Sequence, residues 1–232
     1  MLECRSLATF YDAAQILFDV SLSLGQGRAA CLLGRNGVGK TTCLKTIMGL
    51  TPPVAGSVTF RGRDITGRPA YWVAQQGIGY VPEDRRIFPD LSVEDNLLIA
   101  EKDNPDGIRW TLAKSYEVFP PLYEFRERQG GYLSGGQQQM LTIARTLMGR
   151  PSLLLIDEPT EGLSPIVVRT LEEAILGLKQ EGLTMLLAAQ DMHFAHHVAD
   201  EVHVMNRGTI VYSGTVEQAK AEADKVLAHL AV

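Results

Sequence analysis

The chain has 232 residues, 45% hydrophobic and 21% charged, the mix of a globular protein with room for one large domain or one domain with a small insertion. Its formal net charge of −5 gives no bulk electrostatic reason to bind nucleic acid, and no nucleic-acid partner is expected. Cys4, Cys31 and Cys43 stand singly, which speaks against a disulfide framework or a paired-cysteine zinc site and fits a reduced, cytoplasmic compartment. The opening MLECRSLATFYD lacks a basic segment followed by an apolar core, so no secretory signal is expected. No apolar run nears the ~20 residues that cross a bilayer, so a membrane role has to run through a partner.

In chain order, SLSLGQGRAACLLG (21–34) predicts a strand, a turn at Gly25 to Gly27 and a second strand ending at Gly34. KTTCLKTIMGL predicts a helix, GSVTFRGRDI a strand and turn, and GIGYV a short buried strand. After Phe88 the character changes. Ser92 with Asp95 three residues on forms a capping-box-like helix start. DNPDG (103–107) predicts a loop, and IRWTLAKSYEVF a helix stopped by Pro120 and Pro121. From about 88 to 147 nearly everything predicts helix. Strands then return. SLLLIDEP and LTMLLAAQD are unbroken apolar runs of the kind that parallel strands buried on both faces require, with a helical segment between them. EVHVMNRGTIVYSG predicts a hairpin turning at Asn206 to Gly208, and a last helix starts near Thr215 with Gln218 completing a capping box.

GRNGVGKTT, residues 34–42, matches G-x-x-x-x-G-K-[ST] in full, between a predicted strand and a predicted helix. Gly34, Gly37 and Gly39, with Asn36 and Val38 between them, let successive backbone N–H groups face one centre. The helix N-terminus adds its dipole, and together these favour a phosphate chain. Lys40 supplies charge for the β- and γ-phosphates, the Thr41 hydroxyl suits Mg²⁺, and Thr42 completes the motif. The expected ligand is a nucleoside triphosphate, ATP, with Mg²⁺.

The run Leu153 to Ile156 delivers Asp157 and Glu158 to a strand end, where open α/β sheets place ligands. Asp157 suits the metal, directly or through water, and Glu158 is the candidate general base for an attacking water. LSGGQQQM (133–140) begins another helix. Ser134 caps it, Gln137 sits at its third position, and Met140, Ile143, Ala144 and Leu147 form an apolar face. A Ser-Gly-Gly turn at a helix start is a second anion site, which a single triphosphate does not obviously need.

The three motifs in this order, GRNGVGKT, LSGGQ and LLLIDE, resemble the Walker A, signature and Walker B of an ABC-transporter ATPase subunit, and the likeness covers nearly the whole chain. It implies an α/β fold: a P-loop (RecA-like) ATPase core at about 1–87 and 148–232, an inserted helical subdomain at about 88–147, and a small antiparallel β part. It also implies a head-to-tail pair of cassettes, in which Ser134, Gly135, Gly136 and Gln137 meet the nucleotide held by the other cassette and Tyr11 stacks on adenine. The stretches GIGYVPEDRRIFPDLSVEDNLL, LSGGQQQM and IDEPTEGLSP are similar to the ATPase subunits of branched-chain (hydrophobic) amino acid importers. Near relatives serve urea and short amides. By this resemblance the partners are membrane-spanning permease subunits, a second ATPase subunit and, indirectly, a solute-binding protein. The expected place is the cytoplasmic face of the membrane.

Three positions depart from the wider family's pattern. Most members carry glutamine where Glu83 stands; here the carboxylate faces either the metal or a surface pairing with Arg85 or Arg86. Gln190 falls where most carry a switch histidine, and a glutamine can hydrogen-bond a γ-phosphate without carrying a proton. That leaves Glu158 as the only base at this end of the site. Ser164 replaces a frequent aspartate in the loop that crosses the dimer. Finally, His193 and His197 stand four apart, but no glutamate follows His193 and no third ligand is evident, so a solvated helix face is the plainer account.

Overall fold

A computed structural model describes residues 1–102, 104 and 107–231. The chain opens with an antiparallel pair, β1 (Leu2–Tyr11) and β2 (Ala14–Leu24), followed by β3 (Ala29–Leu33) and α1 (Lys40–Ile47). Next come β4 (Ala55–Phe60), β5 (Arg63–Asp64), α2 (Ala70–Gln75) and β6 (Ile78–Val81). A run of helices follows: α3 (Val93–Leu98), α4 (Leu112–Val118), α5 (Pro120–Glu124) and α6 (Gly135–Met148). The chain then alternates through β7 (Leu153–Asp157), α7 (Pro165–Gln180), β8 (Thr184–Ala189) and α8 (Met192–Val198). It closes with β9 (Glu201–Asn206), β10 (Thr209–Thr215), α9 (Val216–Ala221) and α10 (Ala223–Ala231).

Two sheets result. One has the order β10-β9-β3-β8-β7-β6, with neighbours parallel from β9 to β6 and β10 added antiparallel by the hairpin. The other, β2-β1-β4-β5, is antiparallel. Side chains on a strand alternate between faces, so a strand covered on both sides has to be apolar throughout. β3 does this: Ala29, Cys31 and Leu33 join one apolar cluster, Ala30 and Leu32 the other. β7 and β8 split the same way, with Leu154 and Ile156 facing α6 and α7, and Leu153 and Leu155 facing α1 and the antiparallel sheet. Each fully buried Leu contributes roughly 1.5–3 kcal/mol against exposure, which explains the apolar runs.

Within 88–147, Val93, Leu97, Trp110, Phe119 and Leu122 pack into the same cluster as the inner face of α6. Ser92 caps α3 by accepting from the Asp95 amide, and Thr111 caps α4 by accepting from that of Lys114. The helix expected from Ile108 therefore starts at Leu112, because Trp110 is buried and its indole donates to Ser115 Oγ at 2.7 Å. Pro120 and Pro121 do not merely stop a helix. Pro120 opens α5, where a missing N–H is no loss. The expected loop at 103–107 falls partly on residues 103, 105 and 106, outside the described residues. Sequence reasoning also passed over α2 and the break that divides the terminal helix into α9 and α10.

The order of strands decides where the chemistry can sit. The loop after β3, Glu158 after β7, Gln190 after β8 and Glu83 just past β6 all lie beyond the carboxyl ends of parallel strands, the edge where open α/β sheets bind ligands.

Candidate functional site

The loop 34–39 turns back on itself through two glycines in the left-handed region, Gly37 at φ 81° and Gly39 at φ 111°. A side chain at Gly39 would also lie 3.0 Å from Leu17, so glycine is required there twice over. Lys40 and Thr41 then open α1 with their backbone N–H groups unpaired within the helix, the arrangement that receives anions.

Lys40 is buried, with two hydrogen bonds to carbonyls and an ion pair around its ammonium. Its ammonium lies 2.8 Å from the Gly34 carbonyl, 3.0 Å from that of Arg35 and 2.9 Å from Glu158 Oε1. Glu158 is equally withdrawn from water, 7% exposed. Burial pushes its carboxyl above the usual range, partly offset by the Lys40 contact and by a hydrogen bond from Gln190. Its backbone sits at φ 44°, a conformation that costs a non-glycine residue of the order of 1 kcal/mol or more and that clusters at functional positions.

Asp157 is fully buried and held from two sides. Thr41 Oγ1 donates to Oδ1 at 3.0 Å, and the Tyr80 phenol donates to Oδ2 at 3.1 Å. Burial raises this carboxyl too, while the two hydroxyls pull it down. Glu83 lies outside the strand but lines the same cleft as Thr41 and Asp157. Partial desolvation, then the charges of Glu161, Asp157 and Asp84, raise its carboxyl. Arg86 pairs with Asp84 at 2.7 Å, so the surface pairing weighed for Glu83 belongs to its neighbour. Lys45, one turn along α1, also lines that cleft.

The donor set of Thr41, Glu83 and Asp157 is hard oxygen throughout, which suits Mg²⁺ better than a softer ion. Among the described residues no group of three or more His, Cys, Asp and Glu side chains is gathered for a metal. The rings of His193 and His197 stand 6.4 Å apart.

The phosphate-loop pocket, about 380 Å³, is lined by Ile16, Asn36, Gly37, Gly39, Lys40, Thr41, Thr42, Glu83 and Glu158. Val38 is fixed below it, its carbonyl accepting from Gly208 at 2.9 Å. Tyr11 is not in that lining. It stands at the tip of the β1–β2 hairpin, 42% exposed, with its hydroxyl 3.4 Å from Thr51 Oγ1. Ile16 takes the wall on that side. Gln190 also donates toward Glu161 Oε2 at 3.4 Å.

Ser134 to Gln137 lie elsewhere. Ser134 and Gln137 complete a reciprocal capping box at the start of α6, and Ser134 faces solvent. None of the four lines the phosphate-loop pocket. The structure thus gathers 34–42, Glu83, Asp157, Glu158 and Gln190 at one edge and leaves Ser134 to Gln137 apart. What links the two is the segment after Glu83. The Thr142 hydroxyl lies 2.6 Å from the Arg85 carbonyl, Arg145 donates to the Arg86 carbonyl at 2.6 Å, and the Arg85 guanidinium occupies the space over Gly135.

Sequence reasoning missed Tyr80, Thr142, Arg145 and Ile16. Only Tyr80 left a trace in the sequence: a phenol inside a buried apolar strand has to find a partner.

A family model described as ABC transporter matches residues 17–161. The chain is 39% identical over 216 residues to the high-affinity branched-chain amino acid transport ATP-binding protein BraG of Pseudomonas aeruginosa, covering 93% of each chain. It is 33% identical over 222 residues to the lipopolysaccharide export system ATP-binding protein LptB of Haemophilus influenzae, covering 94% of this chain and 92% of that one. Among solved structures, a dimeric post-hydrolysis ATP-binding cassette bound to ADP and Pi aligns with TM-score 0.79 at 21% identity, over 93% of this chain and 99% of that one, and so shares the fold. With a phosphate loop, a buried carboxylate pair and a capped signature helix in the family's order, the chain belongs to the ABC transporter family as an ATP-binding, ATP-hydrolysing subunit.

Proposed function

We propose that this ATPase powers a multi-subunit importer of branched-chain or other hydrophobic amino acids from the cytoplasmic face of the membrane. The observation that carries the substrate class is the match to BraG along 93% of both chains.

In this reading the backbone amides of 34–41 cradle the phosphates, and an entering phosphate draws Lys40 away from the Gly34 and Arg35 carbonyls. Mg²⁺, held by Thr41 and, through oxygen, by Asp157 and Glu83, would neutralise charge on the β- and γ-phosphates. Glu158, freed from Lys40, accepts the proton of the attacking water. Gln190 hydrogen-bonds the γ-phosphate, and Tyr11 has to leave Thr51 to stack on adenine. Because Ser134 to Gln137 stand apart from the chain's own pocket, their anion site serves the nucleotide of a second cassette.

The membrane partner has a place to dock. Where β6, the 82–88 segment, α3 and α6 meet, there is a groove of about 530 Å³ with Met48, Leu50, Ile78, Phe88 and Ile99 in its walls and Arg86, Lys102 and Arg145 at its margin. Leu50, Phe88 and Ile99 are exposed at 48%, 46% and 61%, an apolar surface that is unusual unless covered. No helix among the described residues is long and apolar enough to cross a membrane, so the attachment runs through permease subunits.

Light scattering on Glu158→Gln, with and without Mg²⁺-ATP, tests the shared site. An ATP-dependent dimer is expected. A protein that binds ATP and stays monomeric would overturn pairing with a second copy and leave a paralogous cassette as partner.

A further inference from the structure

Asp157 is fully buried, yet among the described residues neither of its oxygens faces a cation within salt-bridge distance. Its orientation rests on two hydroxyls, and only one of them, that of Thr41, belongs to the phosphate loop. The other comes from Tyr80, on the edge strand β6, whose backbone lies beside Leu155 two residues before Asp157. With Tyr80 on Oδ2 and Thr41 on Oδ1, both carboxylate oxygens are held by hydroxyls, which fixes the side chain's orientation. Tyr80 is also half-buried at a boundary. Its ring lines the cleft of about 250 Å³ that contains Thr41, Glu83 and Asp157, and it lines the groove of about 530 Å³ on the other side. Pro82, Arg86 and Leu50 are shared by the same two cavities.

We propose that Tyr80 is a positioning residue for the metal-side carboxylate, and that a membrane subunit seated in the groove reaches Asp157 through its ring. The inference rests on the ATPase reading above and adds to it a single side chain joining docking surface to metal site. Groups that orient a metal's ligands typically affect its affinity by about 10-fold or more when removed. Tyr80→Phe keeps the ring and its packing and deletes only the hydroxyl, so Oδ2 loses its partner and the carboxylate its fixed rotamer.

The test uses Mn²⁺ as an electron-paramagnetic probe with a non-hydrolysable ATP analogue, on the full chain. Tyr80→Phe should weaken Mn²⁺ binding about 10-fold, while analogue binding in EDTA stays that of the unaltered protein and the chain still unfolds in one cooperative transition. Equal Mn²⁺ affinity in the two proteins, or an equal loss of metal-free analogue binding, would overturn the positioning role. Unaltered protein that binds the analogue equally with and without Mn²⁺ would instead overturn the metal-dependent ATPase reading, and Tyr80's role with it. With the chain assembled on its membrane subunits, Mn²⁺ affinity should shift relative to the free chain in the unaltered protein and not in Tyr80→Phe. The same shift in both would overturn the link to the groove.

Discussion

Lys40, Asp157 and Glu158 are three ionisable side chains taken almost out of water at one strand edge. Such groups are costly unless each is given a partner or a task. The raised carboxyl of Glu158 sets a direction for pH dependence. A base works only when ionised, so as pH falls through a pKa lying above the ordinary 4.5, hydrolysis should fall with it. The acid limb of kcat is expected above pH 4.5; a limb at or below that value would show that the free carboxylate is not shifted where it acts. A second residue titrates far from the site. His203 is buried, its Nδ1 2.9 Å from Ser213 Oγ, and burial lowers its pKa from 6.5 to about 4. Its neutral form therefore favours the folded state fully above pH 6.5, and that stability is lost as pH falls toward 4. The shift corresponds to about 3 kcal/mol at most. Urea titrations at pH 7.5 and pH 5 should show a loss in the unaltered protein that His203→Gln reduces. An equal loss in both would place the acid sensitivity elsewhere. The glycines of 34–39 and the acids after β7 were legible in the sequence because their spacing is local. Tyr80, His203 and the Thr142 contact were not, since each depends on which strand or helix lies alongside.

Elements carry the link between the phosphate-loop edge and the signature helix. α6 begins with the capping box of Ser134 and Gln137 and is tied, two turns on, to the segment after Glu83 through Thr142 and Arg145. The Thr142 hydroxyl is within reach of the Gln138 and Arg85 carbonyls, at 2.8 and 2.6 Å, and can donate to only one of them at a time. Thr142→Val keeps the volume and removes that donor, at a loss of about 1 kcal/mol. Hydrogen exchange should then quicken at residues 83–88 while α7 and α8 keep their protection. Unchanged exchange there would mean that Arg145 alone secures the segment. Most elements were readable from local pattern: β7 and β8 from unbroken apolar runs, α3 and α9 from their caps, and the β9–β10 turn from Arg207 and Gly208. The start of α4 was not. Trp110 looks helical by sequence, but its burial beside Ser115 and Met148 fixes an irregular entry that no periodicity reveals.

At the scale of the molecule, the strand order β3-β8-β7-β6 brings four loops from distant parts of the chain to one edge. The β/α alternation suggested a parallel sheet, yet only the fold shows that β8 lies between β3 and β7, so that Gln190 follows the strand between the two that carry the phosphate loop and Glu158. Ser134 to Gln137 lie outside the phosphate-loop pocket, which is why the proposed function needs a second cassette. All of this depends on Glu158 being the base at the site that Lys40 builds. The measurement that tests it most directly follows radiolabelled Mg²⁺-ATP on the unaltered protein and on Glu158→Gln, assembled with the membrane subunits. Bound and released nucleotide are analysed separately. The account predicts that both bind ATP, that the unaltered protein releases ADP and phosphate, and that Glu158→Gln slows hydrolysis by at least ~100-fold and retains intact ATP. Glu158→Gln turning over at the unaltered rate would contradict it.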